Sequence, residues 1–89
     1  MFFVYILKSL KDGRYYIGST SDLERRLREH NSGQQEATRY RRPFRLEYAE
    51  PHPDQSTARR RERFIKRQKS RLFIEELIRQ NGPFVPGRK

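Results

Sequence analysis

FFVYILKSLKDGRYYIGST, residues 2–20, sets the frame for the whole chain. Two runs rich in β-branched and aromatic residues flank Asp12-Gly13, a dipeptide that tolerates the positive φ of a tight turn, so the stretch reads as a β-hairpin. The first run is apolar on both of its alternating faces, which marks a central strand or one covered on both sides. With a two-residue loop at Asp12-Gly13, parity places Tyr5, together with Phe3 and Leu7, on the face of Tyr16 and Gly18. Tyr15 and Ile17 then take the opposite face. A longer loop can reverse this assignment.

Downstream of the hairpin, Ser21-Asp22-Leu23-Glu24 has the form of a capping box, with Ser21 as the cap and Glu24 reaching back to it. It opens a helix from about Asp22 to Asn31 that Gly33 ends. SGQQEATRYRRP, residues 32–43, is polar and basic and reads as a loop or short helix. FRLEYAE, Phe44 to Glu50, alternates as a third strand does, and PHPD then breaks the pattern. Asp54 or Ser56 caps a long basic helix through about Lys69. The pattern restarts near Lys69-Ser70, and Leu72, Phe73, Ile74, Leu77 and Ile78 form a last helix that stops at Asn81-Gly82-Pro83. The elements thus run β-β-α-β-α-α, an α+β class, with one domain over residues 1–80 and a flexible tail over 81–89.

With 89 residues, the chain buries roughly two thirds or less of its unfolded surface, so its core is thin. Lys and Arg outnumber Asp and Glu by 21 to 11, a net charge of +10, which favours a polyanionic partner by steering and counterion release. Nucleic acid leads among such partners, ahead of an anionic membrane surface. The lack of cysteine removes disulfides, thiolate zinc sites and thiol nucleophiles, leaving oxygen ligands and a hard cation as the metal chemistry open to it. Phe2 to Leu7 is too short an apolar run to span a membrane and lacks the parts of a signal peptide, so a cytoplasmic protein without membrane attachment is expected.

The hundred-degree step of a helix gives direction to the polar residues. Taking Leu23 as zero, Leu27 lies at about 40°, His30 at about 340° and Arg26 at about 300°, while Arg25, Arg28 and Glu29 point away. Arg26 and His30 share the core-facing side. On the long helix, with Ala58 at zero, Ile65 lies at about 340° and Glu62 at about 40°. A carboxylate so placed is costly unless it is paired or bound to a cation. The plain alternative is an ion pair with Arg26 or another basic residue; the sharper one is a divalent-metal ligand.

Phosphodiester hydrolysis needs a base for the attacking water, a cation for the charge that grows on phosphorus, and stabilisation of the departing oxygen. Tyr5 or Tyr16 fits the base, Arg26 the phosphate clamp, and Glu62 the ligand of a Mg²⁺ or Mn²⁺ that keeps most of its waters. A free tyrosine has a pKa near 10, so this role requires a nearby Arg and metal to favour the phenolate. The tyrosines also suit simple strand packing.

In these residues the chain resembles the GIY-YIG nucleases, in particular their small stand-alone bacterial members. The first half-motif stands as Phe3-Val4-Tyr5 and the second as Tyr16-Ile17-Gly18. STSDLERRLREH then carries the helix arginine at Arg26 and a histidine at His30, and RRERFIK carries the carboxylate at Glu62. The resemblance spans about Phe2 to Lys69 and rests on the combination and order of the motifs. It implies a three-stranded antiparallel β-sheet flanked by helices, a single divalent metal on Glu62, and one-step hydrolysis. Tyr5 is then the base and Tyr16 orients phosphate or water, although the two roles are assigned both ways among members. Gly18 leaves room for close approach. The chain departs from the pattern at Phe3, which replaces the first glycine, and in having no match for a late asparagine.

Arg39, Arg41, Arg42 and Arg45 surround Tyr40, which suits stacking on an unpaired base. Arg59, Arg60, Arg63, Lys66, Arg67 and Lys69 line the outer sides of the long helix, where they position phosphates without reading sequence. The expectation is a metal-dependent endonuclease acting on branched, nicked or single-stranded DNA in repair or recombination, with RNA left open. The alternative is a nucleic-acid-binding module that cleaves nothing, or only when an adaptor protein completes it. A ribosome-associated basic protein would explain the charge but not the inward-facing polar residues.

Overall fold

The hairpin has a wider turn than Asp12-Gly13 alone implies. In a computed structural model that describes residues 1–81, β1 (Phe2–Ser9) pairs antiparallel with β2 (Tyr15–Thr20), Tyr5 opposite Gly18 and Leu7 opposite Tyr16. The Ser9 amide donates to the Arg14 carbonyl at 2.8 Å, so the loop holds Leu10 to Gly13. Ser9 closes it: its hydroxyl accepts from the Lys11 and Asp12 amides, each at 3.1 Å, in the manner of Ser-capped turns. The loop is longer by an even number of residues. Pairing therefore slides by two positions while every side chain keeps the face that parity assigned.

β3 (Phe44–His52) pairs antiparallel with the other side of β1, giving the order β2-β1-β3 with β1 central. The strand runs through Pro51 and His52, beyond the break expected at PHPD. An edge strand tolerates proline because only one side of it must donate to a ladder. Its alternation is interrupted as well: Ile6 faces Tyr48 and Leu7 faces Leu46, so Glu47 is an extra residue in a β-bulge. Phe44 and Ala49 consequently share one core, while Tyr48 turns into the other.

The first helix, α1 (Leu23–Ser32), is capped by Asp22 and not by Ser21. The Asp22 amide donates to Thr20 Oγ1 at 3.1 Å, which keeps Asp22 extended, and its carboxylate accepts from the Arg25 amide at 3.1 Å. Gly33 ends the helix at φ 86°, and the Arg42 guanidinium lies where a Cβ would sit. A short 3-10 turn, Arg39–Arg41, precedes β3. α2 (Gln55–Gln68) is capped by Asp54, which accepts from the Thr57 amide at 2.9 Å, and ends at Lys69 with φ 47°. α3 (Arg71–Asn81) follows, the Ser70 hydroxyl accepting from the Phe73 amide at 3.1 Å. The expected stop at Gly82-Pro83 and the tail lie outside the described residues.

Helices cover both faces of the sheet. Tyr5, Leu7, Phe44 and Ala49 pack under Leu23 of α1; Val4, Ile6, Ile17 and Tyr48 pack under Ala58 and Ile65 of α2 and Ile74 of α3. Each large apolar side chain so buried contributes about 1.5–3 kcal/mol, whereas the exposed ion pairs on the helices are worth a few tenths each, so these two thin cores hold the fold. On the α2 side Glu50 receives hydrogen bonds from the Tyr48 hydroxyl and from Arg61 Nε at 2.9 Å, and pairs with His52 Nε2 at 2.7 Å. Burial pushes the Glu50 carboxyl up, but these partners outweigh it and leave the pKa below its ordinary value. This network ties β3 to α2. Among the described residues no helix is long and apolar enough to cross a membrane.

Candidate functional site

Tyr5 leaves the central strand toward α1, and its ring lies across Gly18 of β2. A Cβ on Gly18 would stand 2.5 Å from the Tyr5 hydroxyl, so only glycine leaves space for the ring there. The hydroxyl reaches His30 Nε2 at 3.1 Å, with both residues nearly fully buried. His30 is fixed from its other side by Thr38, whose Oγ1 lies 2.8 Å from Nδ1. Tyr16 completes the cluster, its ring centroid 4.8 Å from that of His30 and 6.4 Å from that of Tyr5. Phe44 closes the floor, 5.9 Å from His30.

Electrostatics keep this cluster neutral in the free chain. Burial is the main force lowering His30 to about 4, helped by the Arg26 charge and opposed by Glu29. The Tyr5 hydroxyl is pushed well above its ordinary value, chiefly by burial and then by Tyr16; Arg26 acts in the opposite direction, and Glu62 and Glu29 add to the rise. The phenolate that hydrolysis asks of Tyr5 is thus disfavoured: one guanidinium does not offset the loss of water around the ring.

Arg26 is within electrostatic reach of both Tyr5 and His30, as its direction on α1 predicts, and its guanidinium pairs with Glu29 at 3.3 Å. Glu29 does not point away as expected, since it is half-buried between Arg25 and Arg26. Glu62 comes in on the opposite face of the sheet. Ser19, next to Gly18 but facing α2, donates its hydroxyl to Glu62 Oε1 at 2.8 Å, and Lys66 Nζ donates to Oε2 at 2.8 Å. The site therefore straddles the edge strand β2, with the tyrosines and His30 on one side and the carboxylate on the other. Glu62 and Tyr5 sense each other's charge but share no hydrogen bond among the described residues. The ion pair weighed for Glu62 exists, with Lys66 as partner in place of Arg26.

Mg²⁺ takes one or two carboxylates together with waters and substrate phosphates. Glu62 fits as the single protein ligand of an ion that arrives with phosphate, because the Lys66 pair that it must surrender is exposed and worth only a few tenths of a kcal/mol. A cage for a metal without substrate is not built: among the described residues no group of three or more His, Cys, Asp or Glu converges on one point.

Around the site, Arg59, Arg60, Arg63 and Arg67 are exposed on α2 and have no ion pair among the described residues. Tyr40 is 73% exposed, with the Arg39 guanidinium 5.0 Å from its ring centroid. Arg41 is half-buried and committed to the hairpin, pairing with Asp12 at 3.4 Å and donating to the Tyr15 carbonyl. Arg45 pairs with Glu47, and Arg42 lies over Gly33. Sequence reasoning missed Thr38 and Ser19, the two hydroxyls that position His30 and Glu62. Neither carries a signal in the pattern, since a small hydroxyl residue in a loop or strand reads as solvated.

A family model described as the GIY-YIG catalytic domain matches residues 1–75. The chain belongs to the GIY-YIG family. Within it, the chain is similar to the small UPF0213 proteins: it is 40% identical over 79 residues to one from Bacillus cereus, covering 88% of this chain and 81% of that protein. A UPF0213 protein of Halobacterium salinarum is 42% identical over 78 residues, covering 82% of this chain and all of that protein. The solution NMR structure of a UPF0213 protein from Bacillus halodurans shares 40% identity with a TM-score of 0.57, over 92% of this chain and 87% of that one. The GIY-YIG fold expected from the half-motifs is the fold observed.

Proposed function

We propose that this chain is a nucleic-acid-binding GIY-YIG domain, directed at DNA, whose cleavage centre is completed by its substrate or by a protein partner and does not stand ready in the free chain. The observation that carries this reading is the resting state of the two key groups. Glu62 is engaged by Ser19 and Lys66, and the Tyr5 hydroxyl is buried against a neutral His30. The four exposed arginines of α2 and the exposed Tyr40 favour binding: phosphates neutralise the former, and an unpaired base stacks on the latter.

In the completed site, a phosphate near α2 draws Lys66 off Glu62 and frees its Oε2. Glu62 would then hold Mg²⁺ or Mn²⁺, which when bound supplies charge neutralisation at the scissile phosphate. Arg26, whose charge acts on Tyr5 and His30, would meet that phosphate from the α1 side of β2. Tyr5 handles the proton of the attacking water. An autonomous endonuclease is the second reading, favoured by the Tyr5–His30–Thr38 alignment, which simple strand packing does not require.

Binding and cleavage are measured with Mg²⁺ or Mn²⁺ on single-stranded, duplex, nicked and branched DNA and on RNA, for the wild type, Glu62→Ala and Lys66→Ala. The expected result is salt-sensitive binding without cleavage by the chain alone, with affinity kept in Glu62→Ala. Cleavage by the wild type alone that vanishes in Glu62→Ala would replace this proposal with the autonomous nuclease.

A further inference from the structure

Thr38 is fully buried, lies in the basic segment between α1 and β3, and belongs to no motif. Its hydroxyl touches two groups. It lies 2.8 Å from His30 Nδ1, and it donates to the Gln35 carbonyl at 3.4 Å. A hydroxyl has one proton. A carbonyl can only accept, whereas Nδ1 can donate, so the one arrangement that satisfies both contacts gives the hydroxyl proton to the carbonyl and the imidazole hydrogen to Nδ1. Nε2 is then bare and can only accept, and the hydroxyl of Tyr5, 3.1 Å away, is what it accepts from. The chain of donors runs one way, from Tyr5 to His30 to Thr38 to the Gln35 carbonyl.

We infer that Thr38 is a positioning residue: it holds His30 in the Nδ1–H tautomer and so makes Nε2 the acceptor for the Tyr5 proton. When Tyr5 gives up that proton, its O–H bond breaks and an Nε2–H bond forms. A phenolate and an imidazolium result, and Thr38 still accepts from Nδ1–H. The phenolate is then free to take a proton from water. Arg26, Glu29 and Tyr16 are the charged or titratable groups around this pair, and Glu62 acts on Tyr5 from across β2. The inference rests on Tyr5 as the proton-handling group of the site.

The test is ¹⁵N NMR of the imidazoles in the full chain near pH 7, with His52→Gln to assign the two histidines. In the wild type, His30 should carry its proton on Nδ1 and show a bare Nε2. Thr38→Ser should keep that pattern, and Thr38→Val, which keeps the volume but has no acceptor, should shift His30 toward Nε2–H. A wild-type His30 protonated on Nε2 overturns the inference even if Thr38→Val fails to fold, as does a folded Thr38→Val with an unchanged tautomer. Where cleavage is observed with a completed site, Thr38→Val should slow it about tenfold to a hundredfold with nucleic-acid affinity kept, and Thr38→Ser should restore it. The spectra need no cleavage, so a failure of the nuclease reading and a failure of the tautomer show separately.

Discussion

Replacing Gly18 with alanine tests the centre of the site with one methyl group. The new Cβ would stand 2.5 Å from the Tyr5 Oη and 2.7 Å from its Cζ, distances at which something must shift. The backbone at Gly18 is not left-handed, so the cost is steric alone. Relief by swinging the ring is closed off, because Tyr5 is 3% exposed and its hydroxyl is held by His30. Overpacking of a close core costs about 1–3 kcal/mol, and displacing the ring forfeits a hydrogen bond worth about 0.5–1.5 kcal/mol. The variant should lose roughly 2–4 kcal/mol.

Urea denaturation measures this loss. For a chain of this size, with a slope of about 1 kcal/mol per molar urea, the midpoint should fall by about 2 M or more. A second mutation separates clash from generic damage. In a Tyr5→Phe background the closest atom is gone and the ring is no longer tethered to His30. There, Gly18→Ala should cost about 1 kcal/mol less, a coupling that a thermodynamic cycle reads directly. A midpoint that moves by less than about 0.5 M, or costs that simply add, would mean that the ring does not lie across β2.

Three further outcomes follow from the same geometry. His30 has a folded pKa of about 4 against 6.5 unfolded, so the unfolded chain takes the proton first; the stability this contributes is full above pH 6.5 and is lost as pH falls toward 4. That gap is worth roughly 3 kcal/mol, so urea midpoints at pH 7 and pH 4 should lie closer together in His30→Gln than in the wild type; an equal gap in both would contradict the buried neutral imidazole. Lys69 ends α2 at φ 47°, so Lys69→Gly should raise stability by roughly 0.5–1 kcal/mol in the same assay, and a loss would show that the lysine side chain itself matters there. Arg59→Gln with Arg63→Gln should flatten the salt dependence of nucleic-acid affinity by about two in log–log slope, whereas an unchanged slope would move the binding face away from α2.

The parts of this fold legible in the sequence were those carried by parity and direction. Tyr5, Gly18 and Tyr16 share a face whether the loop holds two residues or four, because both lengths are even. Arg26 and His30 followed from the helical step in the same way. Legibility ended where neighbouring residues compete for one role. Ser21 and Asp22 are both good caps, and the choice fell to Thr20, whose hydroxyl holds the Asp22 amide outside the helix. The Glu47 bulge was hidden because Phe44, Leu46 and Tyr48 alternate as an unbroken strand would; only pairing with β1 shows that Tyr48 belongs to the other core.

The candidate site divides along the same line. Its large groups announce themselves, since a histidine and a glutamate on apolar stripes are costly enough to demand an account. The groups that set their chemical state do not, since Thr38 and Ser19 each cost nothing conspicuous wherever they lie. Glu62 illustrates the consequence. Its inward direction fitted both an ion pair and a metal ligand, and direction alone had no means to separate them. The pair with Lys66 is one helical turn long and exposed, so it stabilises little and opens readily. A carboxylate neutralised this cheaply is satisfied at rest; under the proposed function it would also be available to a phosphate-borne cation, and the two readings of Glu62 would then describe successive states of one residue. The discriminating quantity is therefore the affinity of the Glu62–Lys66 pair for each other when phosphate is present. Lys66→Ala reads it: if the pair gates the site, removing the lysine should ease whatever cleavage a partner or substrate permits, and if the lysine serves only as a phosphate contact, the same change should weaken binding and speed nothing.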